Sequence, residues 1–455
     1  AAHYYGITGQ GVGIAVLDTG LWKHDGIKND TASNPRLDVV YNAITNDVAS
    51  SPMSGDDPGG HGSHVASIAV SSLKTEMGTY NGTAPDAHLI SVQAFDEYGN
   101  GTYADVVRAI DWIVANKAAH NIRVLNLSFS AVVRSHYWDD PINQAVMAAW
   151  QQDIVVVAAA GNSGPTAMSI GVPGNVPYVI TVGAMTDNYT PSDFSDDSLA
   201  SFSSAGPTYE GFVKPDVVAP GGHMLGLMPS QSYLAEAYPE FYAGDKYFEM
   251  SGTSQAAGVV SGIAALVIQA NPGLSADDVK CTIMATARPA TITTGKGAKK
   301  TTTLAYSVFQ QGAGLPNSLE AVFTPTLGCA NNGLDIDADV AGTRHFGGRA
   351  NQDSNGDYFL MGDDLSLNSG YTWDSSFSSN GYLWTEGYLW TDGYLWTEGY
   401  LWTDGGVTTE GYLWTDGGVS VDGYLWTDGG VSIEGYLWTD AGTEMATMSH
   451  WVGQE

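Results

Sequence analysis

Short apolar runs alternate with longer small-residue stretches through roughly the first 320 residues of the chain. Val12 to Leu17 and Ile154 to Ala159 are nearly continuous apolar runs, the pattern of strands buried on both faces. Val65 to Leu73, Tyr103 to Ala119, Ala256 to Ala270 and Asp277 to Ala287 read as helices. That alternation predicts an α/β fold, a parallel sheet with helices on both faces. The pattern then changes. From Gly381 to Asp440 the chain is ten consecutive hexads, seven of them Gly-Tyr-Leu-Trp-Thr-(Asp/Glu) and three, at Gly405, Gly417 and Gly429, with Gly-Val in place of Tyr-Leu. Such a strict period is a statement about structure first. Tyr-Leu-Trp-Thr suits a strand and Asp-Gly a two-residue turn, which makes a tight meander. A hexad also serves as one side of a β-solenoid coil. Either way the segment is expected to be ordered β structure. Its tryptophans, from Trp384 to Trp438, are expected to be covered, because soluble monomers avoid a large exposed aromatic face.

Four polar residues stand out against this pattern. Asp18 ends the first apolar run, and the C-terminal edge of a parallel sheet is where α/β proteins place their sites. Asp-Thr-Gly is equally turn or capping chemistry. His61 follows Asp56-Asp57-Pro58-Gly59-Gly60 and opens a helix, where the dipole disfavours the imidazolium and a nearby carboxylate would restore basicity. His61 and His64, three apart, could also be metal ligands, although nothing nearby completes such a site; His64 reads as a packed helix residue. Ser254 begins the apolar helix, as either an N-cap or a hydroxyl beside N–H groups able to hold an oxyanion. Asn162, after the run ending at Ala159, is either a turn residue or an oxyanion donor.

The segments Val16-Leu17-Asp18-Thr19-Gly20, Gly60-His61-Gly62-Ser63-His64, Ala160-Gly161-Asn162-Ser163-Gly164 and Ser251-Gly252-Thr253-Ser254-Gln255-Ala256 resemble, in this order, the subtilisin-like serine proteases (subtilases). The likeness extends over roughly residues 4 to 327. It includes Gly9-Gln10-Gly11-Val12, Gly82-Thr83-Ala84-Pro85 with the run 87–92, Val124 to Phe129, Phe202 to Pro207 and Pro215 to Gly221. The resemblance implies a subtilisin-like catalytic domain over 1–328 and a secreted serine endopeptidase. Ser254 would be nucleophile, His61 general base and Asp18 its orienting partner, the mechanism being subtilisin's own. Asn162 and the Ser254 N–H would hold the oxyanion. Ser128, Phe129 and Ser130 on one side, and Ala158, Ala159, Ala160 and Gly161 on the other, would line the pocket for the residue before the cut. Small alanines there leave room for an apolar side chain. The chain departs from the family at Gln255 and Gly258, where Met and Pro are usual, and in the glycine-poor Phe129-Ser130-Ala131-Val132. The familiar calcium loop is not recognisable between Leu73 and Gly82. No cofactor is needed for the chemistry, and structural calcium rests on weaker grounds, the Asp56-Asp57 loop and the turns around Asp353.

Composition sets the remaining bounds. Forty-nine acidic residues against 17 basic ones give a net charge of −32, which argues against nucleic acid or an anionic membrane as partner. Protein or peptide substrates are the expected partners. No stretch reads as a membrane span. No signal peptide is evident, so the chain is expected to be a mature, processed form of an extracellular protein. Two cysteines, Cys281 and Cys329, are candidates for one disulfide in an oxidising compartment. Beyond the catalytic domain an acidic connecting segment is expected over 329–380, the repeat over 381–440 and a tail over 441–455. Three roles are open for the repeat: packing on the protease domain, self-assembly or partner binding, and stacking on a polymer. The alternative to an enzyme is a structural or adhesive protein that keeps the protease domain as a scaffold.

Overall fold

The computed structural model describes residues 2–51, 56–75, 77–190, 196–295, 301–352 and 356–360, with the backbone of seven strand segments between 371 and 447. The centre is a nine-stranded sheet. Its strands are β1 (Gly13–Asp18), β2 (Leu37–Asn42), β3 (Asp47–Val48), β4 (His88–Gln93), β6 (Ile122–Leu127), β7 (Val155–Ala159), β8 (Ile180–Thr186), β9 (Ser198–Leu199) and β10 (Val217–Pro220). A short strand outside this sheet, β5 (Asn100–Thr102), follows β4. The order is β10-β8-β7-β6-β1-β4-β2-β3, with β9 antiparallel on β8 and β3 antiparallel on β2; the other neighbours run parallel. β1 lies between β4 and β6, and all six of its residues are buried, which is why it reads as an unbroken apolar run.

Helices cover both faces: α1 (Asp25–Lys28), α2 (His61–Val70), α3 (Tyr103–Asn116), α4 (Pro141–Gln151), α5 (Tyr233–Ala237), α6 (Thr253–Ala270) and α7 (Ala276–Ala285). Their starts follow from local chemistry. Thr102 accepts from Asp105 N to cap α3, Asp140 caps α4 ahead of Pro141, and Ser275 with Asp278 forms a capping box on α7. In α3 the buried Tyr103, Val106, Ala109, Ile110 and Ile113 form one apolar stripe. α2 and α6 are instead apolar or small almost all round, because both lie inside the molecule. They approach closely where a Cβ on Gly258 would stand 3.1 Å from the Val65 carbonyl.

Several boundaries differ from the sequence reading by a few residues; α6 begins at Thr253 and α7 ends at Ala285. α2 begins at His61, the expected helix-opening residue, where the Asp57 carboxylate accepts from Ser63 N and satisfies a first-turn donor. It stops at Val70, where the following chain turns to let Ser71 O accept from Gly82 N. α3 ends at Asn116. The expectation that no stretch could span a membrane also needs correcting. Thr253–Ala270 is long and apolar enough by length and composition, but 83% of that window is buried in the protein. It is the core helix of the α/β domain.

Residues 329–352 pack against the same domain. Cys329 is disulfide-bonded to Cys281 of α7. Asp339, in the short helix Ile336–Val340, is buried and accepts from Tyr137 Oη at 2.5 Å and Tyr178 Oη at 2.9 Å. His345 and His136 each stack on Trp138, with ring centroids 4.3 Å apart in both pairs. Within the repeat, the described backbone segments Tyr388–Trp390, Tyr400–Asp404, Thr408–Asp416, Ser420–Thr427 and Ser432–Glu434 pair in parallel, in registers such as Tyr400↔Tyr412 and Tyr412↔Tyr424. The expected burial of the repeat tryptophans, and the Asp353 turn, lie outside the described residues.

Candidate active site

Asp18 and Gln93 end the neighbouring strands β1 and β4, so Asp18 stands at the C-terminal edge of the sheet. His61 is the first residue of α2, which passes this edge. The approach is close: a side chain on Gly62 would collide with the Gly20 carbonyl and stand 3.1 Å from Asp18 Oδ1. His61 Nδ1 lies 2.8 Å from Asp18 Oδ1 and 3.0 Å from Oδ2, with both side chains buried. Asp18 also accepts from Thr19 N at 2.8 Å. With Nδ1–H donating to the carboxylate, Nε2 carries the basic lone pair. Burial by itself would lower the His61 pKa. The Asp18 charge, its hydrogen bond and the more distant Asp57 outweigh burial and raise it above the ordinary 6.5.

Asp57 is the residue the sequence reading assigned only to a loop. Its Oδ1 accepts from Thr19 Oγ1 at 2.7 Å and Gly60 N at 2.8 Å, and its Oδ2 from Ser63 N at 2.7 Å and Ser63 Oγ at 2.6 Å. Thr19 Oγ1 in turn accepts from Gly62 N at 2.9 Å. One buried carboxylate thus ties the end of β1 to the first turn of α2 and sets where His61 sits. An Asp four residues before a helix-opening His was the available signal. Both its oxygens accept hydrogen bonds from the protein. Among the described residues no group of three His, Cys, Asp or Glu side chains could hold a metal ion.

Ser254 is the second residue of α6 and only 4% exposed. Its Oγ donates to Ser128 O at 3.0 Å. Ser128 Oγ donates back to Ser254 O at 2.9 Å and accepts from Asn126 Nδ2 at 2.8 Å, while Asn126 Oδ1 accepts from Ser261 Oγ at 2.9 Å. This buried chain pins the start of α6 to the end of β6. Its sequence signal was a lone Asn inside the apolar run Val124 to Leu127. Asn162 is placed beside the turn that carries Ser254: its Oδ1 accepts from Thr253 N and Thr253 Oγ1, each at 2.9 Å. That contact orients the carboxamide with its oxygen toward α6 and its NH₂ away from Thr253.

Contacts between α2 and α6 bring the two halves together. His64 Nε2 donates to Phe248 O at 2.9 Å, with Met224 O at 3.1 Å. Its Nδ1 therefore accepts, here from Gln255 Nε2 at 3.4 Å. Burial lowers the His64 pKa to about 4. It is a neutral, packed residue beside Gln255, which follows Ser254, and does not read as a second base.

The residues expected to line the pocket divide by position. Phe129 is buried in the core against Phe95, ring centroids 5.1 Å apart, and Ala158, Ala159 and Ala160 are buried. Ser130 and Gly161 face each other: a Cβ on Gly161 would stand 3.1 Å from Ser130 Oγ and 3.0 Å from Ser204 Oγ. Gly171 adjoins Ser130 so closely that a side chain there would collide with its hydroxyl. Ser204 and Gly171 were not expected from the sequence.

A parallel sheet with an Asp–His pair at its edge, and a serine opening a buried helix opposite, is the arrangement of a subtilisin-like fold. The model of the subtilase family matches residues 9–314, and the chain belongs to that family. It is 39% identical over 279 residues to the serine protease AprX of Bacillus subtilis (strain 168), covering 60% of this chain and 60% of that protein. It is 33% identical over 284 residues to subtilisin DY of Bacillus licheniformis, covering 62% of this chain and 85% of that protein. Among solved structures it is similar to the S41 psychrophilic protease, with a TM-score of 0.50 and 28% identity over 62% of this chain and 84% of that one.

Proposed function

We propose that the chain is a serine endopeptidase acting on protein or peptide substrates. The observation that carries the reading is the buried Asp18–His61 pair, 2.8 Å apart, with Ser254 at the start of α6. Ser254 Oγ attacks the scissile carbonyl. His61 Nε2 takes its proton and returns it to the leaving amine. Asp18 holds the tautomer and stabilises the imidazolium. Asn162 Nδ2 and the Ser254 N–H receive the oxyanion. The wall made by Ser130, Gly161 and Gly171 carries little side-chain bulk, which supports an apolar residue before the cut. The Cys281–Cys329 disulfide supports an oxidising, extracellular setting.

A fluorophosphonate probe should label Ser254 in the native protein. Ser254→Ala should abolish labelling and cut casein hydrolysis by about 10⁶-fold, the loss known for subtilisin's own nucleophile. Asn162→Ala should cost about 10² to 10³ in turnover, again the subtilisin value for such a donor. Near wild-type casein cleavage by Ser254→Ala sinks the reading, and a strict Arg or Lys preference in a peptide library sinks the pocket assignment.

A further inference from the structure

β5 is placed at the rim of the site by its neighbours. The chain leaving β4 is tied to Asp18, with Ala94 N donating to Asp18 O at 3.1 Å. Phe95, one residue on, packs against Phe129 next to Ser128, which accepts the Ser254 hydroxyl. Gly101 of β5 lies over Phe95: a Cβ there would be 2.7 Å from its ring. The turn between carries Glu97, whose carbonyl would be 3.2 Å from a Cβ on Gly59, just ahead of His61. Tyr98 packs edge-on against Tyr233 at 5.1 Å. β5 therefore runs along the entrance between the His61 and Ser254 sides.

Among the described residues β5 has one strand partner, and it comes from the far end of the chain. Met445–Thr447 pairs with it antiparallel, Met445 opposite Thr102, Ala446 opposite Gly101 and Thr447 opposite Asn100. An unpaired edge strand offers its N–H and C=O groups to any extended peptide, and β-strand addition is a general mode of peptide capture. Met445 to Gln454 carries no Asp, Glu, Lys or Arg and no Pro, after a repeat with an acid in every hexad. The paired part, Met445–Thr447, is thus an uncharged strand.

We infer that this chain's own C-terminal segment, Met445–Thr447, occupies β5 in competition with a substrate strand. The inference rests on the endopeptidase reading. The tail acts as a tethered, self-displacing inhibitor. Substrate must win β5 from a segment held at the high local concentration that tethering supplies.

The test uses the full chain. Alternate N–H groups of an antiparallel strand face its partner, so Ala446→Pro/Thr447→Pro removes a ladder bond in either phase. In a Ser254→Ala background, amides of Gly101 and Thr102 should exchange faster when the two prolines are present, since the Asn100 N–H already donates to Asp96 Oδ1. In the active chain, the prolines should lower KM for an uncharged tetrapeptide anilide by about threefold or more with kcat unchanged. A synthetic 441–455 peptide added to that variant should inhibit competitively. Identical exchange, identical KM and no inhibition by the peptide overturn the inference. A KM difference that grows with protein concentration also overturns it, because the occupant would then be a second copy's tail. Loss of the endopeptidase reading would appear separately, as hydrolysis that survives Ser254→Ala, while the exchange measurement still reports on β5.

Discussion

At the scale of single residues, the roles proposed above make the buried Asp18–His61 pair the group that sets the pH range of the reaction. Burial lowers the His61 pKa, but the Asp18 charge and hydrogen bond, with help from Asp57, raise it above 6.5. A general base must be neutral, so the acid limb of kcat/KM should have its midpoint above 6.5. Asp18→Asn removes the raising charge and leaves the burial, so the limb should move downward while kcat falls by about 10⁴ through loss of the correct tautomer. A pH–rate profile checks both; an unmoved limb would mean that another group controls it. Folding carries the opposite sign. The raised pKa contributes stability that is fully present below the unfolded value and is lost as pH rises through the folded one. Asp18, His61 and Ser254 stood out in the sequence because each sits in a local context suited to its proposed role. Asp57 and Asn126 were not, because their partners Thr19, Ser63, Ser128 and Ser261 meet them only after folding.

At the scale of elements, the segment after Cys329 behaves as part of the catalytic domain's packing. Asp339 takes hydrogen bonds from two buried tyrosines and is 2.7 Å from His345 Nδ1. Burial, reinforced by the Asp339 charge, pushes the pKa of both Tyr137 and Tyr178 up, so they remain donors. Asp339→Ala leaves two buried hydroxyls without this acceptor, at about 1–3 kcal/mol each. The expected result is a lower urea midpoint and faster amide exchange over 336–352, with Ser254 still labelled by the phosphonate. An unchanged midpoint would show that the helix Ile336–Val340 contributes little. The composition of 329–380, acidic with two arginines as its basic residues, suggested a connector. What composition could not show was that Phe346 and Ala350 find buried places, Phe346 with its carbonyl at the Tyr137 hydroxyl and Ala350 against Val213 and Phe309.

At the scale of the whole molecule, charge dominates. A net charge of −32 stores self-repulsion in any compact state. Raising salt from about 0.01 M to about 1 M shortens the screening length from about 30 Å to about 3 Å. Thermal stability should therefore rise across that range, as a scanning calorimeter would record. A flat or falling Tm would mean that the acidic groups are spaced or paired well enough to cancel their repulsion.

The sequence by itself determined the class of fold, because strand and helix periodicity are local properties of the chain. It also determined the order Asp, His, Asn, Ser, because each residue needs a particular neighbour or turn. The Cys281–Cys329 pairing was open in the sequence, since 48 residues separate the two and only the path of α7 and the chain after it brings their Cα atoms to 5.2 Å. Asp57 reaching across to Thr19 ties the start of α2 to the end of β1. The pocket's second neighbours, Gly171 and Ser204, come from segments far from Ser130 in the chain. The seating of Met445–Thr447 on β5 joins residues more than three hundred positions apart. Tertiary structure alone decides such contacts, because they depend on where separate elements are brought together, and no local pattern encodes that distance.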